Sequence, residues 1–227
     1  MAKKSSVSVI IPTLNEANNI GTVIKGIKGQ LSGRRYDIII VDGYSSDKTI
    51  DIAKKHGARV LLDRRGKGSA LMKGLSAAKN SILVSMDADL SHEPKELTLL
   101  IDGIEAGYDI CMGSRFITGG STEDMSPVRI IGNKLFVFLV NTLFGSNYSD
   151  MCYGYRSFRK SVLRKLGLTE EGFGIETEIS IKAAKRHIRV MEIPSNEKQR
   201  NSGEAKLKTF EDGYVIMKTI LKNLFSS

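Results

Sequence analysis

Short, unbroken apolar runs alternate with helical stripes through the first part of the chain. Val7-Ser8-Val9-Ile10-Ile11 is rich in β-branched residues and stops at Pro12, which predicts a first strand. Apolar residues return at Ile20, Val23, Ile24, Ile27 and Leu31, the spacing of one helix face, with Asn15 as the expected cap and Gly33 closing the unit. Ile38-Ile39-Ile40-Val41 predicts a second strand ending at Asp42. Ser46 is then expected to cap a helix that Gly57 stops after Lys54-Lys55-His56. Arg59-Val60-Leu61-Leu62 reads as strand three, Ser69 to Lys79 as a small-residue helix, and Ser81 to Met86 as strand four. Strand and helix in this alternation predict a parallel sheet with right-handed crossovers, and unbroken apolar runs predict strands covered on both faces.

The pattern then changes. His92-Glu93-Pro94-Lys95-Glu96 has proline just inside a helix start, and Leu97, Leu100, Ile101 and Ile104 follow on one face. Tyr108 to Met112 predicts a further strand, ending at Gly113-Ser114-Arg115, and Thr118 to Ser126 a polar loop. From Pro127 to Phe144 the spacing is helical, but Ile130, Ile131, Leu135, Phe136, Phe138, Leu139, Leu143 and Phe144 crowd nearly all round. One buried stripe does not require so many. Asp150 to Arg156 predicts an aromatic-rich strand or turn, Ile175 to His187 a helix, and Ile188 to Ile193 a strand stopped by Pro194. A basic loop, Asn196 to Lys208, leads to an amphipathic helix over Phe210 to Phe225. With no repeat and no linker, residues 1–227 read as a single domain.

Composition narrows the function classes. The formal net charge of +9 favours polyanionic partners: nucleic acid, an anionic membrane, or phosphorylated substrates. The lysines are scattered and lack interleaved aromatics, which argues against nucleic acid. Cys111 and Cys152 show no metal spacing and read as reduced thiols of a cytoplasmic protein. The first residues hold no signal-peptide apolar region. The most apolar run, Leu135 to Val140, falls short of the roughly 20 residues that span a bilayer, so no crossing is expected. The two apolar helices are expected to lie on a cytoplasmic leaflet, or else to complete the core or a homodimer contact.

The candidate chemistry sits at strand ends. Met86-Asp87-Ala88-Asp89-Leu90-Ser91-His92 places two carboxylates one residue apart where a buried strand surfaces, the edge at which open α/β sheets bind ligands. Two hard oxygen ligands suit Mg²⁺ or Mn²⁺ completed by water and phosphate. Pro12-Thr13-Leu14-Asn15-Glu16, Asp42 and Gly66-Lys67-Gly68 end the other three strands. Together they describe a nucleotide pocket: Asp42 accepts from a base or ribose, and Lys67 reaches a base or phosphate. No Walker A loop and no G-x-G-x-x-G is present. Arg115 follows a strand, and Arg129 and Asn133 share one face of the apolar helix. Such a positive pocket beside a greasy helix suits a phosphate carried on a lipid.

Residues 8–16, Val41-Asp42, Gly66-Lys67-Gly68, Asp87 to His92 and Gly113-Ser114-Arg115-Phe116, in that order, resemble family-2 glycosyltransferases of the GT-A fold. Within them the chain is similar to the dolichyl-phosphate mannosyltransferase and polyprenyl-phosphate glucosyltransferase group. The resemblance implies an α/β, Rossmann-like, mostly parallel central sheet flanked by helices. Residues 1–112 would be its nucleotide-binding half and 113–227 its acceptor-binding half. It implies a nucleotide-sugar donor (GDP-mannose or UDP-glucose type), a divalent ion, a polyisoprenyl phosphate acceptor and inversion at the anomeric carbon. Carried over, Pro12, Thr13, Asn15, Glu16, Asp42, Lys67 and Ala88 line the nucleotide. Asp87, Asp89 and Ser91 serve the metal and diphosphate. Arg115, Arg129 and Asn133 match the acceptor-phosphate site, and Arg200 and Lys206 close over the donor. Asp89, Arg115 and Arg129 are the implied catalytic residues. Serine is usual where Asn133 stands, and Val41-Asp42-Gly43-Tyr44-Ser45 replaces the usual Val-Asp-Asp-Gly-Ser. A phosphate acceptor is already anionic, with a second pKa of about 6, and needs no general base. A hydroxyl acceptor, the alternative, needs one, and Asp150, Glu176 and Glu178 are the candidates. A nucleotidyltransferase is the weaker alternative, since no Gly-rich basic segment follows strand one.

Overall fold

A computed structural model describes residues 5–200 and 209–225. In chain order the elements are β1 (Val7–Thr13), α1 (Ile20–Gln30), β2 (Tyr36–Asp42), α2 (Thr49–Lys55), β3 (Arg59–Leu62), α3 (Lys67–Ala77) and β4 (Ile82–Ser85). A 3-10 turn at Pro94–Glu96 runs into α4 (Leu97–Glu105), followed by β5 (Ile110–Ser114), β6 (Ser121–Thr122), α5 (Pro127–Phe144), β7 (Arg156–Arg159) and α6 (Leu163–Leu166). The chain continues with α7 (Ile175–Lys185), β8 (Val190–Pro194), β9 (Asn196–Glu197) and α8 (Thr209–Phe225).

Seven strands form one sheet in the order β3-β2-β1-β4-β7-β5-β8, and β6 pairs with β9 in a small second sheet. The first four strands pair in parallel, as their unbroken apolar runs require. Helices α1, α2 and α4 cover one face with Ile20, Val23, Ile24, Ile27, Leu97, Leu100 and Ile104. Helices α3, α6 and α7 cover the other with Leu71, Leu75, Leu166, Ile175 and Ile179. A third cluster joins α5, α7 and α8 through Val137, Val140, Ile181 and Ile220.

Several expectations are corrected. The aromatic segment before Arg156 is loop, and the strand is β7, which enters antiparallel between β4 and β5. Asn15 does not cap α1, which opens at Ile20. It sits in the left-handed region at φ 56°, and its Oδ1 accepts from the amide of Ser46 at 2.9 Å. Ser46 in turn does not cap α2; the amide of Thr49 donates instead to Asp47 Oδ1 at 2.9 Å. Both polar side chains tie the β1 and β2 ends to each other, so neither is left for a helix. The expectation that no segment could span a bilayer rested on six residues. The helix that contains them, α5, has 18 residues of mean hydropathy 1.3 and is long and apolar enough by length and composition. Its inner side nevertheless packs on α7 and α8, and its first turns line a cavity that also holds charged side chains.

Candidate active site

The cleft lies along the carboxyl ends of β1, β2 and β4, where three non-glycine residues, Asn15, Tyr44 and Leu90, take positive φ. Such backbone is strained in side-chain-bearing residues and concentrates where tertiary contacts hold it. The Arg64 guanidinium lies 4.1 Å over the Tyr44 ring.

Two cavities meet here. The first, of about 670 Å³, is lined by Pro12, Thr13, Asn15, Glu16 and Gly43 from the first two strand ends and by Asp63, Arg64 and Lys67 beyond β3. The second, of about 150 Å³, is lined by Ser91, Arg115, Arg129, Asn133, Tyr153 and Glu176. Lys67, Asp87, Asp89, Phe173 and Arg200 line both and form the junction, and Ala88 lines the first cavity only.

The junction is an ion-pair array. Lys67 Nζ lies 3.0 Å from Asp87 Oδ1 and 3.0 Å from Glu176 Oε1. Arg200 Nε lies 3.6 Å from Asp89 Oδ2 and 3.1 Å from Asp124 Oδ2. Burial alone pushes Asp87 up, but the Lys67 ammonium foremost holds its carboxyl at about 2. Burial pulls Lys67 down, and Asp87 and Glu176 outweigh it and raise it. Four carboxylates thus face two cations, an excess of negative charge that suits a divalent ion and that a diphosphate could not otherwise approach. Among the described residues no cluster of three or more His, Cys, Asp or Glu forms a ready cation cage. Asp87 and Asp89 offer two carboxylates, and an ion such as Mg²⁺ held by so few would take the rest of its shell from water and phosphate oxygens.

Three of the residues expected at the ligand are engaged by the chain itself, Asp42 behind the cavity wall and Ser91 and Arg115 within the wall of the second cavity. Asp42 is fully buried and does not line the cavity; its oxygens accept from Thr13 Oγ1 (2.7 Å), Ser45 Oγ (2.7 Å) and the Ser45 amide (2.7 Å). It shapes the turn whose Gly43 reaches the cavity. Ser91 gives its hydroxyl (2.6 Å) and amide (3.1 Å) to Asp89 Oδ1, which fixes that carboxylate. Arg115 is the most heavily bonded of the three. Its Nε and Nη2 clamp both oxygens of Asp150 at 2.7 and 3.1 Å, and its Nη1 donates to both oxygens of Glu197 at 3.1 and 3.2 Å. The guanidinium is 6% exposed and stacks 4.7 Å from the Tyr153 ring, so its donors are spent on carboxylates of its own chain.

The other two residues expected at an acceptor phosphate, Arg129 and Asn133, line the second cavity. Arg129 sits in the first turn of α5, which Ser126 caps. Asn133 is 4% exposed, and among the described residues neither atom of its amide has a hydrogen-bond partner. A buried amide without partners is costly and marks a place for a ligand's polar atoms. The glycines beside Lys67 answer to the chain itself: a Cβ on Gly68 would lie 2.3 Å from the Glu170 carbonyl oxygen. Lys206 lies outside the described residues. Of the base candidates, Asp150 is clamped by Arg115, and Glu178 holds Lys182 and the Thr169 and Glu170 amides away from the cleft. Only Glu176 lines the second cavity. Phe173 was missed by the sequence reading. An aromatic residue between Gly172 and Gly174, with no apolar neighbours, was the available signal.

A Rossmann-like half, a carboxylate pair at the fourth strand end and a second cavity beyond it define a glycosyltransferase of the GT-A fold. Solved structures agree on the fold: glucosyl-3-phosphoglycerate synthase from Mycobacterium tuberculosis, in complex with Mn²⁺, UDP and glucosyl-3-phosphoglycerate, superposes with a TM-score of 0.78 at 21% identity, covering 97% of this chain and 80% of that one. The sequence profile of "Glycosyl transferase family 2" matches residues 8–167, more than half of the chain, and the protein belongs to that family. A dolichol-phosphate mannosyltransferase of Pyrococcus furiosus is 34% identical over 89% of this chain, which spans only 59% of that relative's length. A polyprenol monophosphomannose synthase of Mycolicibacterium smegmatis is 30% identical over 88% of this chain and 80% of its own.

Proposed function

We propose that the protein transfers a hexose from a nucleotide sugar to a polyisoprenyl phosphate at a membrane surface, residues 1–112 carrying the donor and 113–227 the acceptor. The observation that carries this reading is the second cavity. The helix that walls it with Arg129 and the unpartnered Asn133 turns an apolar stripe outward: Val128, Ile131, Leu135, Phe138 and Leu143 are all exposed. A phosphate seated at the helix start leaves its lipid tail free to follow that stripe into a bilayer. Exposed Leu221, Leu224 and Phe225 on α8, with Lys218 and Lys222 among them, suit an anionic leaflet. The names of the relatives point the same way.

The nucleotide occupies the first cavity against Pro12, Thr13, Asn15 and Glu16, with Lys67 and Arg200 over its diphosphate. Asp87 and Asp89 would hold a Mg²⁺ or Mn²⁺ ion, which supplies Lewis-acid neutralisation of the departing diphosphate. Arg129 and Asn133 orient the acceptor phosphate, whose oxygen attacks the anomeric carbon from the far side without a general base. Arg115 holds the walls of this cavity together, because Asp150 comes from the loop after α5 and Glu197 from β9.

A transfer assay tests the reading. Labelled GDP-mannose or UDP-glucose is offered with dolichyl phosphate, undecaprenyl phosphate or the corresponding free alcohol, and label is expected on the phosphates only. Equal transfer to the alcohols would refute it. Flotation tests the membrane contact: the protein rises with anionic liposomes at low salt, and Phe138→Glu stays below. Failure of the parent to float, with a dimer seen by light scattering, assigns the stripe to a homodimer instead.

A further inference from the structure

Two side chains at or beside the junction, Phe173 lining both cavities and Glu176 lining the second, are ones that no phosphate would choose. Phe173 is a large apolar residue left 38% exposed, and it lines both cavities. Glu176, in the first turn of α7, is 5% exposed, and its Oε1 meets Lys67 Nζ at 3.0 Å. A carboxylate repels both the donor diphosphate and an acceptor phosphate, and an ionised carboxylate can only accept hydrogen bonds. What it suits is a neutral group rich in O–H donors. A hexose is such a group, with hydroxyls around its rim and C–H bonds on its faces.

Backbone closes the site beneath these side chains. The backbone at Gly154 forms the floor beneath Lys67, Asp87 and Glu176: a Cβ there would lie 3.3 Å from Asp87 Oδ2, 3.3 Å from Lys67 Nζ and 3.4 Å from Glu176 Oε1. Diphosphate on the Asp87 and Asp89 side and an attacking nucleophile on the Arg129 and Asn133 side leave the reacting carbon between them, against Phe173 and Glu176. Resting on the donor reading above, we infer that Phe173 and Glu176 build the subsite for the transferred hexose. Phe173 covers a C–H face of the ring, and Glu176, held by Lys67, accepts from ring hydroxyls and so selects among epimers. Glu176 is therefore a specificity residue and not a general base.

Calorimetric titration of the whole chain with Mn²⁺ and no acceptor tests this. The probes are UDP, GDP, UDP-glucose and GDP-mannose, and the quantity read is the Kd of the better-binding nucleotide sugar divided by that of its own diphosphate. Charge-assisted hydrogen bonds are worth enough for Glu176→Gln to raise this ratio about tenfold. Phe173→Ala should raise it similarly. Circular dichroism and a thermal melt show that each variant is folded, and Kd for the bare diphosphate separates an effect through Lys67 from one on the hexose. If Kd for sugar nucleotide and bare diphosphate rise together, Glu176 serves Lys67 alone and the subsite is overturned, as it is if the ratio does not move. If the parent binds neither nucleotides nor nucleotide sugars, the donor reading itself has failed, which is a different result.

Discussion

Replacing Arg115 by Met separates two roles for this side chain, a phosphate ligand and a clasp between carboxylates. In the structure the guanidinium, 6% exposed, reaches both oxygens of Asp150, which is itself fully buried on its side chain, and both oxygens of Glu197. Met fills much of the same volume but leaves two desolvated carboxylates facing each other. Removing one partner of a buried ion pair costs about 3–5 kcal/mol. A chain of this length loses roughly 2–4 °C of Tm per kcal/mol, so the expected fall is on the order of 6–20 °C. The assay is a thermal melt at neutral pH, followed by nucleotide titration well below the variant's Tm. Donor affinity should fall too, because Glu197 carries the strand that leads to Arg200. Arg115→Lys, which keeps the charge but loses the fork, should lie between. A variant that melts within about 2 °C of the parent, binds nucleotide normally and loses only acceptor affinity would refute the clasp; a fall of that size is less than 3 kcal/mol allows.

Asp89→Ala should abolish turnover and remove the Mn²⁺ dependence of nucleotide binding; persistent metal-dependent binding in the titration would shift the ion elsewhere. Gly68→Ala places a Cβ 2.3 Å from the Glu170 carbonyl oxygen and should cost about 1–3 kcal/mol in a denaturant melt, with weaker nucleotide binding as Lys67 moves. Glu178 is pushed up by burial, but Lys182 and the Thr169 and Glu170 amides outweigh this and lower its carboxyl below 4.5. A carboxyl lowered on folding stabilises the protein above its unfolded value and loses that contribution as pH falls through the folded one. Glu178→Gln should therefore lower Tm at pH 7, and the gap to the parent should close as the melt is repeated below pH 4.5.

Much of the fold was legible along the chain. The limits of β3 and of α5 follow from local pattern alone, as do the strand ends that place Pro12, Asp87 and Asp89 on one edge. Hydrophobic periodicity records which face of an element is buried, and proline and glycine record where it stops, so both survive without knowledge of the neighbours. The site was legible only as a set of residues. Arg115 meets Asp150 across 35 positions and Glu197 across 82, and no local spacing encodes either pairing. Asn15 and Ser46 have the composition of helix caps, yet 31 positions apart they bond to each other. β7 runs antiparallel between β4 and β5, partners far from it in the chain, which periodicity cannot report. The sequence by itself determined the layers, the cleft and the charged side chains near it. Tertiary packing alone decided which charges neutralise one another and which face the ligand, because that depends on distances between segments far apart in the chain.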